Sequence, residues 1–77
     1  MSNDEELIRQ LLEENEEFRR IKEEHAWIHR KVEHLDTKPF LTPSERVERD
    51  QLKKKKLSLK DKMESIVSSF RQRSGGR

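Results

Sequence analysis

Residues 52–61 read LKKKKLSLKD, and the spacing of the leucines in this stretch decides the fold. Leu52, Lys56 and Leu59 stand four and three residues apart, which places them on one stripe of a helix. The stripe continues as Met63, Ile66 and Phe70 on the same alternation. Upstream, Leu11, Phe18, Ile21, Ile28, Val32 and Leu35 repeat it, with Leu7 extending the row backward and Glu14 and His25 as polar interruptions. Two heptad stripes of similar length joined by a short breaker predict an all-α fold, an antiparallel two-helix hairpin of coiled-coil type.

The breaker is TKPFL, residues 37–41, where Pro39 disfavours helical geometry at Lys38 and has no N–H to give to a helical turn. The next four residues, Thr42-Pro43-Ser44-Glu45, combine a capping box with proline at the first helical position. Residues 1–77 therefore read as one domain, with helix one at about 4–36, a turn at 37–42, helix two at about 43–71 and a flexible basic tail over 72–77. Helix one starts at a capping box made by Ser2 with Glu5 or by Asn3 with Glu6, and runs without a breaker. Glu-before-Arg pairs such as Glu5 with Arg9 and Glu16 with Arg20 support its exposed face. Folding at the turn sets Leu52 against Ile28, Leu59 against Ile21, Met63 against Phe18 and Phe70 against Leu11. His25 against Lys56 and Glu14 against Ile66 are the polar layers, and Phe40 and Leu41 are expected to pack on Val47 or Leu35.

A chain of 77 residues with 29% hydrophobic and 44% charged residues is near the lower limit for an independent core. Two helices share one interface, yet Ile8, Leu12, Trp27, Leu57 and Val67 lie off it. Leu12 and Val67 fall at equal height in the hairpin, and Trp27 falls within about one turn of Leu57. The expectation is a homodimer, forming a four-helix bundle through this second flank.

The net charge of +2 conceals a division. Residues 1–38 carry seven Lys/Arg against eleven Asp/Glu, a net of −4, and residues 39–77 carry eleven against five, a net of +6. Complementary arms of one hairpin account for this without an external polyanion. Arg49, Lys53, Lys56 and Lys60 form a ridge on helix two, but Lys53 to Lys56 are spread around the helix at about 100° per residue. The ridge lacks interleaved aromatic residues and a recognised reading motif, so nucleic acid is the second reading and a solvated lysine flank the first. The lysines around Leu57, Leu59 and Val67 resemble a basic amphipathic helix, yet helix one competes for that apolar face, so membrane binding is not expected. No apolar run approaches the roughly 18 residues of a spanning helix, and the acidic MSNDEE start is unlike a signal peptide. A cytoplasmic location is expected.

Catalytic chemistry finds little to work with. The absence of cysteine removes thiolate ligands and nucleophiles. Gly75 and Gly76 lie in the tail, so no phosphate-cradling loop exists, and no Ser, His and Asp set has reason to converge. His25, His29 and Glu33 recur at one-turn spacing and could line up as metal ligands, but a structural zinc site needs four and no second pair occurs. His34 points elsewhere around the helix. The expectation is a protein with no catalytic residue, cofactor or metal.

One resemblance extends this reading. Leu11, Asn15, Phe18, Ile21, His25 and Ile28, followed after the turn by LKKKKLSLKDKM from Leu52 to Met63, resemble the YdcH-like family of small bacterial proteins, a domain of unknown function. The likeness runs from about Leu11 to Val67. It implies a short cytoplasmic helical hairpin with no established activity. His29 stands where that family would lead one to expect an acid, and TKPFLTP is a turn of this chain's own. The sequence thus points to a self-associating protein-interaction or scaffolding module. Its working residues would be Trp27, Leu57, Leu12 and Val67 with the basic edge Arg49, Lys53, Lys56 and Lys60, and an unidentified protein partner is possible.

Overall fold

Two prolines and one capping box fix where the chain reverses. Before Pro39, the Thr37 N–H donates to the carbonyls of Glu33 (3.1 Å) and His34 (3.3 Å). The Thr37 hydroxyl adds a bond to His34 O at 2.7 Å, and the Lys38 N–H reaches Leu35 O at 3.2 Å. These bonds take up the carbonyls of Glu33, His34 and Leu35, three of those that the helix end leaves open. After the turn, the Glu45 N–H donates to Thr42 Oγ1 at 3.1 Å, and the Thr42 N–H donates to Glu45 Oε1 at 3.0 Å. The capping box read from the sequence is present, and a cap of this kind contributes typically about 1 kcal/mol. The other oxygen of Glu45 takes the Lys38 ammonium, so this one carboxylate ties turn to helix. That contact, followed by the Thr42 backbone bond, holds its carboxyl below the usual value.

The structure is a computed structural model describing the backbone of residues 2–75 and the side chains of residues 5–73. Over these residues the protein is all-helical, with α1 at Ser2–Glu14, α2 at Glu16–Asp36 and α3 at Pro43–Gly75. The rod measures 52 × 21 × 18 Å, and its long dimension is close to the rise of the 33-residue α3 at about 1.5 Å per residue. Ion pairs give the direction of packing. Asp36 and Lys31 near the end of α2 meet Arg49 and Glu48 near the start of α3, whereas Glu24 meets Lys55 further along. The two helices run antiparallel.

Helix one is not continuous as expected; it breaks at Asn15. That residue adopts extended backbone geometry (φ −113°, ψ 106°), and its Oδ1 accepts the Phe18 N–H at 2.8 Å, the bond of a helix N-cap. Glu16 and Glu17 follow in the first turn, where carboxylates favour the positive helix end. On the other side, Arg19 Nη1 donates to the Leu12 carbonyl at 2.7 Å. Asn15 and Arg19 thus each take up one of the backbone groups that the break opens, the Phe18 N–H and the Leu12 carbonyl.

Burial follows the α2 stripe. Leu11, Phe18, Ile21, Ile28, Val32, Leu35 and Leu59 are buried, and Leu52, Met63 and Ile66 pack partly buried against the cluster of Ile21, Ile28, Val32 and Leu59. Of the buried residues α2 supplies five, α3 supplies Leu59 and α1 supplies Leu11. Three further details depart from expectation. Arg9 pairs with Glu6 at 3.2 Å, not with Glu5. Phe40 is 87% exposed and packs on neither Val47 nor Leu35, because the Lys38–Glu45–Thr42 contacts already close the turn. Helix α3 continues to Gly75, past the Arg71 at which it was expected to fray. The caps expected at Ser2 or Asn3 and the end of the basic tail lie outside the described side chains.

Candidate interaction surface

The pairing of α2 with α3 leaves two long edges of different character. One carries Glu24–Lys55 (3.4 Å) and Lys31–Glu48 (3.8 Å), cross-helix pairs that cancel each other's charge. Trp27 belongs here, half exposed, with the Lys31 ammonium 5.1 Å from its ring centroid. At that distance the cation is attracted by the negative face of the indole. Arg30 and His34 complete the shallow hollow beside it.

The opposite edge is basic. Arg49 donates weakly to Asp36 (3.4 Å), and its Nε is buried without a partner among the described residues. The Lys56 ammonium lies 3.1 Å from His29 Nδ1. Because an ammonium can only donate, Nδ1 is the acceptor and Nε2 carries the hydrogen that faces Glu33 at 3.2 Å. A chain Lys56–His29–Glu33 therefore spans from α3 to α2. Lys22, Lys53 and Lys60 have no ion pair among the described residues. Desolvation comes first, then Lys56, His29, Lys22 and Lys60, in holding the imidazole of half-buried His25 below its ordinary value. Three of these neighbours, Lys56, Lys22 and Lys60, are ammonium groups, and they mark this edge as electropositive.

The basic edge ends in a groove. Where α1 leaves α2, a cavity of ≈ 500 Å³ opens with Ile8, Phe18, Met63 and Val67 as its apolar lining, Lys22 on the α2 wall and Lys60 on the α3 wall. Glu64 and Arg71 also reach it. This volume falls within the range of ligand-sized clefts.

The eight residues expected to form an off-seam apolar flank and a basic edge fall on these edges as follows. Val67 and Lys60 line the groove. Leu12 is one turn from Ile8, and Lys53, Lys56 and Arg49 continue along the same side of α3. Leu57, 61% exposed, lies a turn from both Lys53 and Lys60. Trp27 stands apart from these seven. It is about 120° from the α2 seam in the direction of Lys31, whereas Leu57 is about 140° from the α3 seam in the direction of Lys53. Similar height did not bring them together. The groove itself was missed; the signal for it was Ile8 and Val67 standing off-seam on the same side as the unpaired lysines.

His25, His29 and Glu33 share an edge, but both His29 nitrogens already have partners. No group of three or more His, Asp or Glu side chains that could hold a metal occurs among the described residues. No helix among them is long and apolar enough to cross a membrane.

Sequence comparison places this geometry in a family. The family described as protein of unknown function (DUF465) matches residues 18–67, well over half of the chain. The chain belongs to DUF465. This is the YdcH-like family that the residues around His25 and LKKKKLSLKD suggested. No curated protein and no solved structure matches the chain. In this DUF465 protein the matched span starts at Phe18 and ends at Val67, so it takes in nearly all of α2, the turn and most of α3. It leaves out α1, and with α1 the Ile8 contribution to the groove.

The lowered His25 value has a sign that can be tested. The unfolded chain protonates residue 25 near the ordinary value of 6.5, whereas the folded chain resists the proton. The unfolded state therefore binds more protons in the window just below that value, and stability rises with pH there. The DUF465 protein is expected to melt lower at pH ~5.5 than at pH ~7.5, and His25→Gln is expected to flatten that slope. Glu45 titrates below 4.5 and stays outside the window. A His25→Gln melting series with the wild-type pH slope would contradict the assignment.

Proposed function

We propose that this DUF465 protein is a non-enzymatic protein-interaction module that self-associates, assembling two copies as a bundle of their antiparallel α2–α3 pairs. One observation carries the reading. A core confined to a single seam leaves Trp27, Val47, Leu57 and Phe40 between 51% and 87% exposed, in a chain with few large apolar residues to spare. The Trp27 edge suits a second copy, because its cross-helix ion pairs neutralise one another and two such edges can approach without like-charge repulsion. Equilibrium sedimentation at micromolar concentration is expected to give a dimer, and Trp27→Lys to give a folded monomer. A wild-type chain that sediments as a folded monomer would end this reading.

The second reading is an accessory nucleic-acid binder. It is favoured by Arg49, Lys53, Lys56 and Lys60 sharing an edge on which Lys53 and Lys60 lack ion pairs among the described residues. Its phosphate contacts would weaken steeply with salt. A gel shift that persists near about 150 mM salt supports it, and one confined to low salt removes it.

A further inference from the structure

The groove at the junction of α1, α2 and α3 is apolar below and cationic on both sides. Ile8, Phe18, Met63 and Val67 form the apolar part. The walls come from different helices, with Lys22 rising from α2 and Lys60 from α3, and neither ammonium has a carboxylate partner among the described residues. From Lys60 to Arg71 the opening runs about 16 Å along α3, or three helical turns.

A trough between two antiparallel helices is the seat that a third helix occupies in a bundle. A helix seated there buries an apolar stripe against Phe18, Met63 and Val67 and brings one flank up to Lys22 and the other up to Lys60. This repeats the geometry by which flanking charges select partners in coiled coils. We infer that the groove binds an amphipathic helix of another protein, one whose apolar stripe is bordered on both sides by Asp or Glu.

Charge decides among the possible occupants. Two copies of this chain set groove to groove would bring Lys22, Lys53, Lys56 and Lys60 against the same lysines, and such juxtaposition is repulsive. The chain's own acidic helix, α1, cannot serve a second copy while it holds its place, because Leu11 is 1% exposed within its own fold. Of the described α1 carboxylates, Glu5 shares the side of Ile8 and Leu12, whereas Glu6, Glu13 and Glu14 lie further round the helix. A phosphate backbone would meet Lys22 and Lys60 but leave the apolar floor between them uncovered, and a concave floor does not protrude into a bilayer. Glu64, i+4 from Lys60, tempers the α3 wall but leaves Lys22 and Lys60 facing the opening. The lowered value of His25, set first by desolvation and then by lysines that include Lys22 and Lys60, agrees with a positive potential at this end. The inference stands apart from self-association, which uses the Trp27 edge.

The test uses the full chain and two synthetic helical peptides of about four turns. Both carry leucine at i, i+3, i+4 and i+7; one has glutamate on both flanks and the other lysine. Methyl NMR of Ile8, Met63 and Val67 follows the titrations. The glutamate peptide is expected to shift these methyls and to bind at least about tenfold more tightly than the lysine peptide, with the preference shrinking as salt rises. The double variant Lys22→Glu/Lys60→Glu, checked for retained helicity, is expected to invert the preference. Lys54→Glu, about 200° around α3 from Leu52, is expected to leave it unchanged. Equal affinity for both peptides overturns the inference, as does absence of shifts with either. Methyl shifts that track protein concentration with no peptide present assign the groove to a second copy and overturn it as well. Movement of the same methyls by anionic vesicles or duplex DNA, with the glutamate peptide inert, does the same. Sedimentation of the chain alone reads the dimer separately, so each idea can fail without the other.

Discussion

Ile28→Ala is expected to lower the free energy of unfolding by about 2–5 kcal/mol, the range for truncating a fully buried large aliphatic side chain. Ile28 is 2% exposed and belongs to the cluster that joins α2 to α3 through Leu59, Leu52, Met63 and Ile66. The cavity would open where the two longest helices meet, with no second layer of structure to collapse into it. Small domains have a total stability of only about 5–15 kcal/mol, so this one change removes a large share of it and should bring cooperative loss of helicity at a much lower urea midpoint. Val47→Ala is the control. Val47 is 57% exposed, and surface changes of this kind move stability by about 0.5 kcal/mol or less. Equal midpoints for the two variants would show that the Ile28 cluster is not the seat of stability.

Leu11→Ala removes a side chain just as buried, at 1% exposure, yet the expected outcome is local. Leu11 is the buried anchor of α1, and α2 does not depend on α1 for its first turn because Asn15 Oδ1 already holds the Phe18 N–H. Against a loss of about 2–5 kcal/mol, only the half-buried Leu7, Ile8 and Leu12 remain to hold α1 in place. Helix α1 should detach while the α2–α3 pair stays folded. Circular dichroism is expected to lose the contribution of about the 13 residues of α1. Hydrogen exchange should show amides of residues 5–14 unprotected and those of residues 18–35 unchanged. Uniform loss of protection along the chain would mean that α1 and α2 unfold as one unit.

The contrast between these variants shows where sequence reading was sufficient and where it was not. Heptad spacing located the α2 seam because five of its apolar residues are buried on one side. The Thr42–Glu45 capping box was legible because it is a local exchange of two hydrogen bonds. The Asn15 break was not legible from periodicity, since Leu11 and Phe18 are seven residues apart and keep their phase across it. The local signal was there, an Asn followed by two acids, but it was masked by an apolar pattern that continued on both sides. Phe40 was misplaced because apolar character alone says nothing about whether a turn has room to cover it. Trp27 and Leu57 were grouped by height along the rod, when the angle around each helix was the quantity that mattered.

That last separation has a practical consequence. The chain has one tryptophan and no tyrosine, and the indole sits half exposed under the Lys31 ammonium, on the far side from the groove. Its emission is thus a built-in optical reporter for one face alone. A partner that quenches or blue-shifts it has covered the Lys31 side, whereas a bound partner that leaves the spectrum untouched has gone to the lysine-rich side, with no label or substitution needed to tell the two apart.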